Sequence, residues 1–116
     1  MSRVTIYHNP RCSKSRQTLE LLRQHGVEPE IVEYLKTPPD AKQLNTILEL
    51  LGLEPRELMR TNEAEYQDNN LADPALTREQ LVQAMVEHPG IIQRPIVLSK
   101  GHAALGRPPE DVVEIL

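Results

Sequence analysis

The sequence predicts an α/β fold in which a helical block separates two regions that contain strands. Short runs of β-branched and apolar residues appear at positions 3–7 and 31–34 and again at 96–105, towards the two ends of the chain. A helical pattern directly follows the first run, and mostly helical sequence covers about 40–88. The length of 116 residues suits one domain, because domains usually hold ~100–150 residues.

The first third of the chain has the pattern of a strand, a helix and a second strand. Residues 3–7 are β-branched and aromatic, and the turn-forming residues His8–Pro10 end this strand. Apolar residues then recur at helical spacing from Ser13 until a stop at His25-Gly26. Ile31–Tyr34 is a second short strand. A strand, helix and strand in this order usually form a right-handed parallel unit.

The region from about 40 to 88 has the signals of a helical insertion. Thr37–Asp40 predicts the entry to a helix that ends at Gly52, and its apolar face consists of Leu44, Ile47, Leu48 and Leu51. One or two short helices are expected over 54–72. Thr77 and Gln80 have the spacing of a capping box, so a further helix begins there and ends at Pro89-Gly90.

The last part of the chain predicts a hairpin and a short helix. Ile96–Leu98 and His102–Leu105 read as strands joined by a turn at Ser99–Gly101, and Pro108–Asp111 opens the helix. Apart from the insertion, the element order is βαβ…ββα. The predicted fold is therefore thioredoxin-like, as one domain over 1–116 with a helical insertion between the second and third strands.

Composition excludes several classes of function. Aromatic residues make up 3% of the chain, which argues against modules that stack nucleic-acid bases on aromatic rings. No apolar run approaches the ~20 residues of a membrane span, and the first residues lack the apolar stretch of a secretory signal. The single cysteine excludes a disulfide framework and a Cys-rich zinc site. We expect a cytoplasmic monomer that binds neither nucleic acid, nor a membrane, nor a metal.

The basic residues are distributed unevenly in a chain whose net charge is −4. Residues 1–19 and 88–109 together contain seven Lys and Arg and no acidic residue, whereas the other 75 residues contain 6 basic and 17 acidic residues. Two distant stretches without acidic residues predict one electropositive site that folding assembles.

Cys12 is the candidate nucleophile. It lies where the first helix is expected to begin, and the unpaired N–H groups of a first turn stabilise an anion. Arg11, Lys14, Arg16 and His8 all lie within four residues of it. Such surroundings lower the pKa of a thiol and are typical of reactive cysteines. His8 could polarise the thiol or act as a general base, or it could simply form part of the turn.

Spacing excludes some kinds of cysteine chemistry. A C-x-x-C redox motif is absent, because Ser15 occupies its second position, so an outside thiol must resolve any adduct on Cys12. A phosphatase-type C-x5-R loop is absent as well, because position 18 is Thr. Papain-like hydrolysis has no local signature, although the spacing of His25, His88 and His102 does not exclude it.

Four segments carry a resemblance to a known family. His8–Arg16 (HNPRCSKSR), Glu57–Arg60, Arg94–Val97 and Gly106–Pro109 resemble the corresponding segments of the ArsC-like arsenate reductases that use glutathione and glutaredoxin. The resemblance extends over essentially the whole chain. Within that family the chain is most similar to the short bacterial housekeeping branch.

The resemblance implies a role for each matching residue. Cys12 is expected to attack arsenate and form a thiol–arsenic ester, and His8 to help lower the pKa of the thiol. Ser15 is expected to donate its hydroxyl to the thiolate, and Pro95 to form a cis peptide beside the cysteine. The arginines expected to bind the oxyanion are Arg60, Arg94 and Arg107. No bound cofactor is implied; glutathione and glutaredoxin are external reductants and partners.

The chain also departs from the commonest arsenate-resistance version of the motif. Arg11 and Lys14 stand where that version has small residues, so the loop is more basic and could prefer a different anion or thiol. Two alternative functions remain open. One is a monothiol oxidoreductase that acts on protein–glutathione mixed disulfides. The other is a thiol-stress regulator that binds RNA polymerase, whose relatives usually carry the C-x-x-C motif.

Overall fold

A four-stranded mixed sheet organises the two terminal regions of the chain. In the computed structural model, which describes residues 4–116, β1 (Thr5–Tyr7) lies between β2 (Glu30–Val32) and β3 (Ile96–Ser99), and β4 (His102–Leu105) pairs with β3. The strand order is β2-β1-β3-β4. The β1–β2 pair is parallel, and β3 is antiparallel to both β1 and β4.

The strand register brings three separate segments to one end of the sheet. Tyr7, the last residue of β1, pairs with Ile96, the first residue of β3, and Ile96 also pairs with Leu105, the last residue of β4. The chain that follows β1, the chain that precedes β3 and the chain that follows β4 therefore meet at the same end. This end carries the candidate site.

A helix and a 3-10 helix pack on the sheet. Helix α1 (Ser13–Gln24) follows β1, and a 3-10 helix covers Pro109–Ile115. The two helices and the central strands each contribute one fully buried side chain to a single core cluster: Ile6, Leu22, Val97 and Val112. Each such side chain stabilises the fold by roughly 1.5–3 kcal/mol. The cluster fixes α1, and hence its first turn, against the sheet.

The chain divides into two compact units. Residues up to Thr37 together with Arg94–Leu116 form the first unit, which contains the sheet, and Pro38–Gln93 forms the second. The second unit is helical, and its elements are α2 (Ala41–Leu51), a 3-10 helix (Pro55–Leu58), α3 (Ala64–Asp68), α4 (Arg78–Glu87) and a 3-10 helix (Pro89–Ile91).

Capping boxes define the starts of the two longer helices in the second unit. The Asp40 side chain accepts from the N–H of Gln43 at the start of α2, and the Thr77 hydroxyl accepts from the N–H of Gln80 at the start of α4. Helix α2 ends at Gly52, whose φ of 69° is in the left-handed region that glycine tolerates. Because these signals lie within a few residues of each helix end, the sequence pattern predicts where the helices begin and end.

The structure confirms the predicted thioredoxin-like fold and its element order. Organisation as one domain stays a prediction. The second strand ends at Val32, two residues earlier than predicted, because the N–H groups of Lys36 and Thr37 both donate to the carbonyl of Glu33 and turn the chain. Within residues 4–116, no helix has the length and apolar character needed to cross a membrane.

The last helix of the chain is a 3-10 helix. Its packing residues Val112 and Ile115 are three positions apart, and this spacing places them on one side of a 3-10 turn. The sequence pattern alone does not distinguish that turn from a short α-helix. The predicted first strand began at Arg3, which lies outside the described residues; the described part of this strand is Thr5–Tyr7.

Candidate active site

Cys12 is the residue that caps the amino end of α1. Its backbone is extended, with φ −88° and ψ 124°, and its side chain makes no capping hydrogen bond. The backbone N–H of Cys12 donates to the carbonyl of Asn9 at 3.0 Å, which holds the loop between β1 and α1 in a tight turn. The thiol is partly exposed. The sulfur is therefore free to react at the positive end of the helix.

The surroundings of Cys12 lower the pKa of its thiol. Partial burial, the largest single influence, raises the pKa, but nearby N–H groups and a cation outweigh it. The backbone N–H groups of Ser15 and Lys14 are directed towards the sulfur and favour its charged form, and Arg94 both donates a hydrogen bond and adds a positive charge. The structure thus holds the sulfur as a thiolate to lower pH than an ordinary cysteine.

Two arginines meet at the sulfur from separate parts of the chain. The Nη2 of Arg107, in the segment after β4, lies 3.8 Å from the Sγ of Cys12. The Nε of Arg107 donates to the carbonyl of Arg94 at 2.8 Å, so the two residues are also joined to each other. The Nε of Arg94 is buried and has no hydrogen-bond partner within residues 4–116.

A close contact fixes the segment that carries Arg107. The backbone N–H of Gly106 donates to the carbonyl of Pro95 at 2.9 Å. A Cβ at Gly106 would overlap the Oγ1 of Thr18 and would lie 2.6 Å from the Cγ of Pro95, so only glycine fits. The Arg94–Pro95 peptide is cis, as the resemblance implies. Helix α1, the chain before β3 and the chain after β4 are thus packed tightly together at these residues.

The hydroxyl of Ser15 contacts two residues of the loop that precedes Cys12. This side chain is fully buried, and its Oγ lies 2.6 Å from the Nδ1 of His8 and accepts the backbone N–H of Asn9 at 3.0 Å. A hydrogen bond from this hydroxyl to the thiolate stays a prediction. The group of Ser15 that lowers the pKa of the thiol is its backbone N–H, which is directed towards the sulfur.

His8 lies beneath the loop and binds Ser15. Burial lowers the pKa of its imidazole, although the carboxylate of Glu33 acts in the opposite direction. The ring is therefore neutral near pH 7. The cation beside the thiol is Arg94 rather than an imidazolium at His8. A role of His8 in catalysis stays a prediction, and the contact in the structure connects it to the first turn of α1 through Ser15.

Arg60 belongs to the second unit. Its Nη1 lies 2.7 Å from the Oε1 of Glu63, and its backbone N–H donates to the carbonyl of Ile91. The sequence analysis did not identify Glu63 as a partner of Arg60, although the i,i+3 spacing of the two residues could have indicated an ion pair. The role of Arg60 in binding an oxyanion stays a prediction.

Asn9 is a structural residue of the site that sequence reasoning did not single out. Besides its backbone contacts to Cys12 and Ser15, its Oδ1 accepts the N–H of Arg11 at 3.0 Å. The side chain thus forms an Asx turn over the residues that lead to the nucleophile. The Asn-Pro pair is a known turn signal and could have indicated this role.

The alkylation rate of Cys12 should reveal its lowered pKa. Only the thiolate reacts with iodoacetamide, so the alkylation rate rises with pH up to a plateau. The rate for Cys12 should reach this plateau at a lower pH than the rate for glutathione alkylated in parallel. A lowered pKa stabilises the folded state above the pKa of the unfolded thiol, and this contribution is lost as pH falls through the folded value. The single cysteine makes the measurement unambiguous. A midpoint at or above that of glutathione would contradict the assignment.

The arrangement suits nucleophilic attack on a small oxyanion. The thiolate supplies the nucleophile, and the guanidinium groups of Arg94 and Arg107 supply planar sets of donors that match the oxygens of a tetrahedral anion. Within residues 4–116, no group of three or more His, Cys, Asp or Glu side chains could hold a metal ion. The side chains of Cys12 and the two arginines can thus supply an attacking atom and the charges that an oxyanion needs.

Comparison with known proteins places this site in a family. Residues 7–115 match the model of the ArsC family. The chain is 57% identical to the uncharacterized protein YfgD of Escherichia coli strain K12, over 97% of this chain and 96% of that protein. It is 44% identical to an arsenate reductase of Neisseria meningitidis serogroup A over the full length of both.

A solved structure agrees with the sequence relatives. The structure of an arsenate reductase from Vibrio cholerae superposes with a TM-score of 0.96 at 50% identity, covering 98% of each chain. The family match extends over nearly the whole chain, and relatives well above 30% identity are aligned over at least 97% of it. This protein therefore belongs to the ArsC family.

Proposed function

We propose that this protein reduces arsenate to arsenite, with Cys12 as the nucleophile and with glutathione and glutaredoxin as the thiol donors. A relative that is 44% identical over the full chain is named arsenate reductase, as is a structural neighbour at 50% identity. The use of glutathione and glutaredoxin follows from the resemblance in the sequence. A reducing compartment such as the cytoplasm would suit this chemistry, and we propose a monomer.

One observation carries the proposal: the Cys12 thiolate lies against two guanidinium groups. Arsenate at neutral pH is a tetrahedral dianion, so it and a thiolate repel each other. Arg94 and Arg107 contact the sulfur and can also donate to the arsenate oxygens. Their charges offset this repulsion and stabilise the negative charge that builds up as sulfur approaches arsenic.

The first half of the reaction forms bonds from sulfur to arsenic. Cys12 attacks arsenic, an S–As bond forms and an As–O bond breaks, and the departing oxygen takes up protons and leaves as water. The thiol of glutathione then displaces a second oxygen as water in the same way. Arsenic remains As(V) through both steps, because each step only exchanges one ligand for another.

The second half reduces arsenic and regenerates the thiol. A glutaredoxin thiolate attacks the glutathione sulfur, and the electron pair of the S–As bond passes to arsenic, which becomes As(III). The mixed disulfide of glutathione and glutaredoxin leaves. Water then displaces Cys12 from As(III) and releases arsenite. Two thiols have lost the two electrons that arsenic has gained.

Other predicted site residues have supporting roles in this proposal. His8 and Ser15 position the first turn of α1, so that the backbone N–H groups of Ser15 and Lys14 point at the sulfur. Arg60 is proposed to contact the oxyanion or the arsenic intermediates on the basis of the resemblance alone. Its ion pair with Glu63 is part of the local structure in which it lies.

The test is consumption of NADPH in a coupled assay that contains arsenate, glutathione, glutaredoxin and glutathione reductase. We expect oxidation of NADPH to require arsenate, glutathione, glutaredoxin and the protein together. Direct speciation of arsenic should show one arsenite for each NADPH consumed. A rate that does not depend on arsenate would contradict the proposal.

A second candidate function rests on the monothiol character of the site. Cys12 is partly exposed and is the only cysteine of the chain, so it could accept glutathione from a glutathionylated protein. Competition between arsenate and a glutathionylated protein separates this activity from the first. Arsenate should inhibit deglutathionylation if both reactions use Cys12, and the larger kcat/KM identifies the preferred substrate. The regulator alternative predicts capture of RNA polymerase, which a pull-down tests.

A further inference from the structure

A pocket beside the reactive loop is not used by the oxyanion chemistry. It has a volume of about 320 Å³ and lies within the first unit, where its lining residues are His8, Asn9, Pro10, Arg11, Glu33, Leu35 and Lys36. Arg11 directly precedes Cys12, so the pocket adjoins the loop that carries the nucleophile. Its volume is at the small end of the range for pockets that hold small molecules, ~300–1,000 Å³.

The charged groups of the pocket have a definite pattern. The Nζ of Lys36 lies 3.8 Å from the Oε1 of Glu33, so this side of the pocket presents a cation and an anion together. Arg11 adds a second cation to the lining. His8 contributes no charge near neutral pH, because burial lowers its pKa. The lining therefore has one more positive than negative charge.

The pocket also has an apolar wall. Leu35 is 46% exposed and is one of three large apolar side chains that stand exposed among residues 4–116. An exposed leucine beside charged groups suits a ligand with short methylene segments between its charged ends. The pocket thus offers both polar anchors and apolar contact.

We infer that this pocket binds the thiol co-substrate, an anionic peptide-like thiol of the glutathione type. This inference rests on the proposed function, which requires such a thiol to reach arsenic on Cys12. Glutathione has two carboxylates and one ammonium group, so its net charge is opposite to that of the lining. In this arrangement Glu33 binds the ammonium group and Lys36 the carboxylate of the γ-glutamyl end. Arg11 binds the carboxylate of the glycine end.

Two larger cavities of the molecule lack these properties. A groove of about 670 Å³ in the second unit has Glu79 and Glu87 in its lining. A groove of about 590 Å³ beside α1 has Glu20 and Glu110 against a single arginine, Arg16. Acidic residues outnumber the Lys and Arg in both, which disfavours an anionic thiol. Unlike these two grooves, the pocket beside the reactive loop combines a net positive lining with a position next to Cys12.

The first arm of the test measures thiol exchange without arsenate. Cys12 attacks glutathione disulfide, its S–S bond breaks, one glutathione thiolate leaves and a new disulfide to Cys12 forms. The neutral compound 2-hydroxyethyl disulfide reacts by the same steps but has no carboxylate. The measured quantity is the rate with glutathione disulfide divided by the rate with 2-hydroxyethyl disulfide. We expect this rate ratio to fall about threefold in Arg11→Met and in Lys36→Met, and about tenfold in the double variant.

Lys100→Asn is the matched control. It removes one positive charge from the same unit, and asparagine tolerates the φ of 54° at this turn position. Its rate ratio should equal that of the unchanged protein. If the ratio in the double variant also stays unchanged, or if Lys100→Asn lowers it equally, the thiol pocket is refuted.

The second arm uses the coupled arsenate assay. In the double variant the KM for glutathione should rise about tenfold, while the KM for arsenate stays within twofold, because arsenate binds at Arg94 and Arg107. If the unchanged protein reduces no arsenate but its preference for glutathione disulfide depends on Arg11 and Lys36, the proposed function fails and the pocket assignment stands. If arsenate is reduced with an unchanged KM for glutathione in the double variant, the pocket assignment fails alone.

Discussion

Replacing Cys12 by serine is expected to remove arsenate-dependent oxidation of NADPH completely, down to the rate without enzyme. A serine hydroxyl stays protonated at neutral pH and forms no stable equivalent of the S–As bond. Backbone N–H groups and two arginines would then surround a group that cannot attack. The coupled assay measures the effect, and mass spectrometry should find no covalent glutathione adduct on the variant.

The position of Cys12 makes this substitution a clean test. Cys12 occupies the N-cap of α1 without making a side-chain capping bond, whereas serine is among the preferred N-cap residues. The variant should therefore unfold at the same temperature as the unchanged protein or at a slightly higher one. Retained arsenate reduction in a folded Cys12→Ser protein would overturn the assignment of the nucleophile.

Replacing Arg94 by alanine is expected to lower kcat/KM for arsenate more than tenfold. The loss removes charge-assisted hydrogen bonds worth ~1.5–3 kcal/mol, which corresponds to roughly 10–150-fold in rate. The same substitution removes a hydrogen bond and a positive charge from Cys12, so the pKa of the thiol should rise. The iodoacetamide profile should then shift to higher pH than in the unchanged protein.

Two further variants separate local from general effects of charge. Lys100→Asn removes an equal charge at the opposite end of β3 and should leave both kcat/KM and the thiol profile unchanged. Arg94→Lys keeps the charge without the planar fork of donors, so its rate should lie between those of Arg94→Ala and the unchanged protein. Unchanged arsenate kinetics in Arg94→Ala would remove this residue from the site.

The element order could be predicted because local chemistry specifies it. The capping boxes at Asp40 and Thr77, the stop at Gly52 and the hairpin turn at Lys100-Gly101 are all encoded within a few residues of sequence. The end of β2 could not be predicted in this way. Glu33 and Tyr34 have a strand-like pattern, but the carbonyl of Glu33 accepts two N–H groups that follow it and ends the strand.

The candidate site could be predicted only as far as residue type and position allow. The pattern around Cys12 indicated a reactive thiol, and the structure shows Arg94 and Arg107 beside it. The contact between the Ser15 hydroxyl and His8 could not be predicted, because it depends on the conformation of the folded loop. The lowered pKa of His8 could not be predicted either, because it results from burial of the imidazole.

The hydrogen bond from the Nε of Arg107 to the carbonyl of Arg94 joins the side chain of one cation to the main chain of the other. A shift of the backbone at position 94 would strain this bond and so affect the position of the Arg107 guanidinium. Substitutions of the two side chains should be non-additive, because both guanidinium groups act on the sulfur of Cys12. The two cations are thus coupled twice, through this hydrogen bond and through the thiolate that they share.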